Sequence, residues 1–260
     1  MISRTMMIAM CTLLAGLAAC GGEEAGEPED IGTEPADTLS DDVAETSRAP
    51  EMIFASHILL PFQGSQQAPA DAMSRDEAYE LLESVADSIS AGQLTFDEAA
   101  ARYSTCPSGQ QGGFLGGFVR GQMVPEFEEV AFNLEPGNMS GVFETGYGYH
   151  IVYREPTVTA SHILIAYQGA DRSTATRTKE EALELIEALK DSVWSGELAF
   201  EEAARRYSDC PSAQQGGDLG PFARGMMAPA FEDAAFGIGV DDISDITETP
   251  FGYHLILRTN

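Results

Sequence analysis

The chain contains one sequence pattern twice, and this repetition restricts its possible folds more than any other feature. Ala55–Leu59 recurs as Ala160–Leu164 at a spacing of 105 residues, and Phe96–Phe132 matches Phe200–Phe236 at a spacing of 104, with 25 of 37 positions identical. Two copies of about 100 residues each have the size of compact domains. A solenoid is disfavoured, because its units are shorter and usually number three or more. The sequence therefore predicts two tandem domains of one kind.

Both copies predict the same order of helices and strands. The first copy has a strand-like run at Met52–Leu60, a helix with a capping box at Ser74 and Glu77, helices at Phe96–Tyr103 and Pro125–Phe132, and a hairpin at Gly141–Tyr153. The second has a strand-like run at Val158–Tyr167, a capping box at Thr178 and Glu181, helices at Phe200–Tyr207 and Pro229–Phe236, and a hairpin at Ile243–Arg258. The order β-α-α-β-α-β-β predicts an α+β domain with a small mixed sheet. For each copy we expect about four strands in that sheet, packed with about four helices. The expected boundaries are residues 52–155 and 156–260.

Residues 1–20 resemble a bacterial export signal. Their apolar run is too short for a comfortable membrane span and ends in Leu17-Ala18-Ala19-Cys20, which resembles a lipobox. The resemblance implies that Cys20 carries lipid and anchors the chain to a membrane. An ordinary secretory signal with an incidental cysteine is the alternative. Because Gly21 follows the cysteine, the likeness to lipoprotein sorting implies the periplasmic face of the outer membrane.

Residues 21–51 form an acidic segment with eleven Asp and Glu residues, one Arg and no aromatic residue. Such a composition cannot bury enough apolar surface to offset chain entropy, so we predict a disordered linker, with an acidic interaction tail as the alternative. The whole chain has a formal net charge of -28. This balance argues against nucleic acid as a partner and against electrostatic docking on anionic lipid.

Few chemically reactive residue types recur in both copies. The recurring ones are His57, Cys106 and His150 in the first copy, and His162, Cys210 and His254 in the second. Each could be a satisfied core position. A zinc site is disfavoured by the missing fourth ligand and spacing, and a Cys-His hydrolase by the lack of an obvious orienting residue. A disulfide between the two cysteines would require equivalent positions of two domains to meet. We predict no metal and no cofactor.

The segment between these reactive residues discriminates among the alternatives. It reads Gly112-Gly113-Phe114-Leu115-Gly116-Gly117-Phe118-x-Arg120-Gly121-x-Met123-x-Pro125-x-Phe127, and it recurs as Gly216-Gly217-Asp218-Leu219-Gly220-Pro221-Phe222-x-Arg224-Gly225-x-Met227-x-Pro229-x-Phe231. Together with the Ser-His, Ser-x-Cys and Gly-Tyr-His motifs, it strongly resembles the parvulin family of peptidyl-prolyl cis/trans isomerases. The second copy is particularly similar to Pin-type parvulins at Thr176–Ile186.

The resemblance implies a role for each matching residue. A proline pocket would be lined by Leu115, Met123 and Phe127, and in the second copy by Leu219, Met227 and Phe231. The susceptible peptide bond would face Cys106, His57 and His150, and in the second copy Cys210, His162 and His254. Thr145 and Thr249 match the hydroxyl residue of the network that joins the histidines. Many parvulins carry Asp at the cysteine position, which favours a polar role over covalent attack.

The sequence also departs from the Pin-type pattern. Residues 61–73 contain no Lys or Arg, and residues 166–176 contain only Arg172, where Pin-type enzymes have a basic phosphate-binding cluster. We therefore expect no strong phospho-Ser/Thr requirement.

The leading hypothesis is a monomeric, lipid-tethered isomerase that acts on X-Pro bonds in exported or unfolded polypeptides. The first alternative is a chaperone or scaffold whose pockets only hold proline-containing segments; it is disfavoured because the sequence predicts no long helical regions around the domains. The second is redox sensing through Cys106 and Cys210.

Overall fold

The computed structural model describes residues 51–260, and each copy forms its own four-stranded sheet there. In the first copy the strands are β1 (Met52–Leu60), β2 (Phe114–Val119), β3 (Phe143–Thr145) and β4 (Gly148–Arg154), in the order β2-β1-β4-β3. In the second they are β5 (Thr157–Ile165), β6 (Asp218–Ala223), β7 (Thr247–Thr249) and β8 (Gly252–Arg258), in the order β6-β5-β8-β7. The predicted signal segment with Cys20 lies outside the described residues, as does the acidic segment apart from Glu51.

Each copy also has three α-helices and one short 3-10 helix. The α-helices are α1 (Arg75–Ser90), α2 (Phe96–Tyr103), α3 (Pro125–Asn133), α4 (Lys179–Trp194), α5 (Phe200–Tyr207) and α6 (Pro229–Gly237). The 3-10 helices are Pro107–Gln111 and Pro211–Gln215. The predicted tandem α+β fold is thus confirmed.

The prediction of a mixed sheet is wrong, because every strand pairing in both sheets is antiparallel. Parallel neighbours need a long crossover connection, usually with a helix, so a helical connection between strands is compatible with parallel pairing. Here two α-helices and a 3-10 helix separate β1 from β2, and β2 begins beside the middle of β1. Ser56 pairs with Phe114 and Met52 with Val119, so β2 runs back along β1 as an antiparallel edge strand.

The first helix of each copy begins where its capping box predicts. The Ser74 hydroxyl accepts from the backbone N–H of Glu77, and the Glu77 carboxylate accepts from the backbone N–H of Ser74. The same reciprocal pair caps α4 at Thr178 and Glu181. Gly92 follows the last turn of α1 with φ +68°, a left-handed conformation that glycine adopts without strain.

The two faces of each sheet pack against different helices. Ile58 and Leu60 belong to the core that α1 and α2 cover, whereas Ile53 and Ala55 belong to the core that α3 covers. Side chains alternate between faces along a strand, so His57 lies on the α3 face with Ile53 and Ala55. On β4, Val152 lies in that same core, which places His150 there as well. The strand period therefore directs both histidines towards α3.

A glycine next to the first histidine of each copy permits a close backbone approach. The N–H groups of His57 and His162 donate to the carbonyls of Gly113 and Gly217, each at 2.9 Å. A Cβ on Gly217 would lie 2.3 Å from the His162 carbonyl oxygen, and the φ of Gly217 is +87°. The pairing of β5 with β6 shifts register at this point. The position therefore requires glycine.

We predict that Gly217→Ala destabilises the second copy by about 3 kcal/mol or more, because backbone strain and a backbone clash add. Gly220→Ala is the matched control, since Gly220 has φ +65° and open space where the added methyl group would lie; it should cost only about 1 to 2 kcal/mol. The only tryptophan of the chain is Trp194 in α4, so its fluorescence during urea unfolding reports on this copy. Equal destabilisation by Gly217→Ala and Gly220→Ala would contradict the conclusion that the close backbone approach at His162 requires glycine at position 217.

Candidate active site

Two imidazole rings stack at the centre of each copy. His57 on β1 pairs with Val152, and Leu59 pairs with His150 on β4, so the histidines are diagonal neighbours on one face of the sheet. Their ring centroids lie 5.6 Å apart at an interplanar angle of 29°. In the second copy the rings of His162 and His254 lie 5.3 Å apart at 22°. The strand register thus builds the same pair twice.

In each pair, a threonine hydroxyl contacts Nε2 of the second histidine, His150 or His254. Thr145 Oγ1 lies 2.8 Å from His150 Nε2 and accepts the backbone N–H of Tyr147 at 3.1 Å. Thr249 Oγ1 has the same 2.8 Å contact with His254 Nε2, and it accepts the N–H of Phe251 at 3.1 Å. The hairpin turn therefore fixes the hydroxyl, and the hydroxyl fixes the imidazole.

Burial keeps all four imidazoles neutral at ordinary pH. It lowers the pKa of His57 and of His162 from 6.5 to about 4. It lowers the pKa of His150 and of His254 to about 3, and the charge of the neighbouring imidazole adds to that effect. A desolvated imidazole favours its uncharged form, and a second cation beside it would be repelled. The site therefore presents polar but uncharged rings.

The two copies differ in the bonding of their histidines. In the second copy His162 Nδ1 and His254 Nδ1 lie 3.2 Å apart, within hydrogen-bonding distance. Among the described residues of the first copy, neither ring nitrogen of His57 has a hydrogen-bond partner. In the second copy only Nε2 of His162 is left without one among these residues.

An apolar wall closes each site on the α3 or α6 side. The Phe127 ring lies edge-on to His57 at 5.8 Å and to His150 at 5.7 Å, and Leu115 and Met123 pack around the same core. In the second copy a cavity of about 580 Å³ brings together every residue assigned there from the sequence. Those residues are His162, Cys210, Leu219, Met227, Phe231, Thr249 and His254.

Each cysteine lies at the start of a 3-10 helix and is held by serines that the sequence analysis did not assign. Ser104 Oγ accepts the backbone N–H groups of Leu59 and Cys106, which links the cysteine segment to β1. The Ser108 hydroxyl lies 3.3 Å from Cys106 Sγ and donates to it. Ser208 and Ser212 do the same for Cys210. The Ser-x-Cys-x-Ser spacing, present in both copies, could have revealed these supports.

Both Cys106 and Cys210 are free thiols. Within residues 51–260, no group of three or more His, Cys, Asp or Glu side chains is placed to hold a metal ion. In that same part of the chain, no helix combines the length and apolar character needed to cross a membrane.

Each copy thus combines an antiparallel four-stranded sheet with a pair of stacked, neutral imidazoles that lie against an apolar layer. The family model described as "Rotamase: PPIC-type PPIASE domain" matches residues 57–156 and 162–260. The chain therefore belongs to the PPIC-type, or parvulin, family and is a peptidyl-prolyl cis/trans isomerase.

Relatives match one copy or both. "Peptidyl-prolyl cis-trans isomerase Pin1" of Arabidopsis thaliana is 46% identical over 112 residues, covering 39% of this chain and 94% of that protein. "Chaperone SurA" of Nitrosospira multiformis is 32% identical over 213 residues, covering 77% of this chain and 46% of that protein. A solved structure of "Peptidyl-prolyl isomerase ESS1 from Candida albicans" has 36% identity and a TM-score of 0.39, covering 40% of this chain and 63% of that one.

We predict that all four histidines stay neutral between pH 8 and pH 5 in the folded chain. Because their folded pKa values lie below 6.5, the unfolded chain binds more protons as the pH falls below that value. The contribution of the histidines to the free energy of unfolding is therefore fully present above about pH 6.5. It is lost on acidification, by up to about 1.4 kcal/mol per pH unit for each histidine. The measurement is an NMR titration of the imidazole protons.

The same chain in urea provides the reference for that titration, since its histidines should protonate near their usual pKa of about 6.5. A folded-state midpoint near 6.5 for any of the four rings would contradict the buried, neutral arrangement.

Proposed function

We propose that this isomerase accelerates X-Pro isomerisation in exported polypeptides, that both copies are active, and that a lipid on Cys20 tethers it at the periplasmic face of the outer membrane. In this proposal residues 1–20 are the signal, residues 21–51 the linker, and residues 52–155 and 156–260 the isomerase domains. The observation that supports the catalytic part best is the second-copy cavity, which combines an apolar wall with neutral polar groups. The resemblance of residues 1–20 to a lipoprotein signal supports the location.

The reaction asks little chemistry of the site. Rotation about an X-Pro bond is slow because amide resonance must be broken, and a thousandfold acceleration needs about 4 kcal/mol off the barrier. Leu219, Met227 and Phe231 offer an apolar surface for the prolyl ring. A twisted amide has less charge separation than a planar one, so a site that excludes water favours the twisted form.

The hydrogen bonds of the second copy suggest how its histidines take part. If the Thr249 hydroxyl donates to His254 Nε2, the proton of that neutral ring lies on Nδ1 and can be donated to His162 Nδ1. The proton of His162 then lies on Nε2, the nitrogen without a partner among the described residues. We infer that these tautomers join the two uncharged rings by one hydrogen bond at the cavity; the assignment depends on Thr249 acting as the donor.

The cysteines fit a polar role without a covalent bond to the substrate. Each Sγ already accepts a hydrogen bond from a serine hydroxyl, which leaves the S–H free to donate. A carboxylate in the same place would also supply a polar group next to the twisting bond. Electrostatic support of this kind does not require a thiolate nucleophile.

We predict that the full-length variant Cys106→Asp/Cys210→Asp keeps X-Pro exchange activity within about tenfold of the natural chain. The matched variant Cys106→Ala/Cys210→Ala removes the polar group and should be slower than the Asp variant. Activity is measured by exchange NMR on an Ala-Pro peptide. A folded Asp variant without activity would favour a covalent role.

The charges around the second cavity give little support for a phosphate requirement. Arg172 lines the cavity beside Asp171, and Arg177 is held in an ion pair with Asp209 at 2.5 Å. The matching loop of the first copy, residues 61–73, has no Lys or Arg. Phosphate recognition relies on several unpaired cations or on Arg forks.

We predict that a Ser-Pro peptide and its phosphorylated form are isomerised at rates within about fivefold of each other, the difference expected from one exposed ion pair. Arg172→Ala should reduce even this difference. The comparison uses exchange NMR with the full-length chain. A preference for phosphopeptide of a hundredfold or more would contradict this part of the proposal.

A proline-binding chaperone is the second candidate, because a chaperone matches this chain across 77% of its length. Binding of unfolded polypeptides without acceleration of X-Pro exchange would favour it.

A further inference from the structure

The turn that carries Met123 in the first copy receives no capping hydrogen bond from the N-cap residue of the helix that follows it. This turn joins β2 to α3 and contains Gly121, with φ +89°, and Met123. The N-cap of α3 is Val124, which makes no side-chain capping bond, and Pro125 follows it. The side chain of the N-cap residue therefore offers no acceptor to the backbone N–H groups of this region.

Glu128 supplies that acceptor. Its Oε1 accepts the N–H of Gly121 at 2.7 Å and the N–H of Met123 at 2.9 Å. Desolvation raises the pKa of Glu128, but the backbone N–H groups of the turn and Arg120 more than offset this, so its pKa lies below the usual value. A carboxylate with these donors remains charged and bonds strongly. The Glu128 side chain therefore binds the backbone N–H groups of the residues on either side of Gln122.

The second copy keeps the hydrogen bond to the methionine, though not the one to the glycine, and its carboxylate is more buried. Glu232 in α6 is only 6% exposed, and its Oε1 accepts the N–H of Met227 at 2.8 Å. Glutamate is rarely buried without a dedicated partner. Met227 lines the cavity of the second copy. The Glu232 carboxylate is therefore hydrogen-bonded to the backbone of a residue that lines the cavity.

We propose that Glu128 and Glu232 are positioning residues that hold Met123 and Met227 in place for the prolyl ring. This inference rests on the proposed function of the pocket. Methionine has three rotatable side-chain bonds, so its usefulness as a wall depends on a fixed backbone. Fixing that backbone before the substrate arrives reduces the ordering that binding must otherwise accomplish. Glu128 and Glu232 act through the methionines and do not themselves contact the substrate.

A purely structural role gives a different expectation. A carboxylate in the first turn of α3 also stabilises the helix. If that were its whole function, its loss would lower the free energy of unfolding and leave the affinity of the folded pocket unchanged. Affinity measured on the folded chain therefore separates positioning from stabilisation.

The test uses the full-length chain with Glu128→Ala, and Glu129→Ala as the matched control, since Glu129 is the exposed next residue of the same helix. The peptide Ala-Ala-Pro-Phe is titrated while backbone amide NMR signals of each copy are followed separately. We expect Kd at the first copy to rise about tenfold, as for loss of charged hydrogen bonds. The Met123 amide should lose its protection from hydrogen exchange, whereas Kd at the second copy should stay unchanged.

Glu128→Gln retains a neutral acceptor and should give a Kd between those of the natural chain and Glu128→Ala. If Glu128→Ala does not fold, a Kd in folded Glu128→Gln that is higher than that of the natural chain supports the proposal, and an unchanged Kd overturns it. An unchanged Kd in folded Glu128→Ala also overturns it, while the proposed function stands. If the natural chain neither binds the peptide nor accelerates its exchange, the proposed function fails as well.

Discussion

The rest of each site depends on two imidazoles that adjacent strands hold, uncharged, against an apolar layer. Their place follows from strand geometry, since the side-chain period of β1 puts His57 with Ile53 and Ala55, and that of β4 puts His150 with Val152. Phe127 touches both rings. A charged imidazole there would be costly because it is desolvated, so the pocket remains suitable for an apolar ring.

Several weak constraints hold this arrangement together. Gly113 and Gly217 let a backbone segment approach the first histidine of each pair, and threonines in the hairpin turns hold the second. The serines beside each cysteine connect it to the strand that carries the first histidine. Each support comes from a different element, and the complete set appears twice. The copies differ in bonding, since only the second connects its two histidines directly.

Much of the fold was predictable because its signals are local. The capping boxes, the strand Met52–Leu60 and the helix Phe96–Tyr103 occur in the structure at the residues predicted. Strand direction was not predictable, because antiparallel pairing of β1 with β2 depends on how the chain returns after two helices. The motif identified Leu219, Met227 and Phe231, which line the cavity of the second copy. Ser108 and Glu128 were missed, since their importance lies in contacts that only the folded chain creates.

In the proposed function, each copy contains its own proline pocket, and the apolar wall of that pocket is necessary for catalysis. The decisive experiment measures X-Pro exchange on an Ala-Pro peptide with the full-length chain and the variants Leu115→Ala, Leu219→Ala and the two combined. We expect each single variant to lose the contribution of one copy, and the folded double variant to be at least about tenfold slower than the natural chain. A folded double variant that retains more than about half of the activity would contradict the account, since so small a loss corresponds to less than about 0.5 kcal/mol.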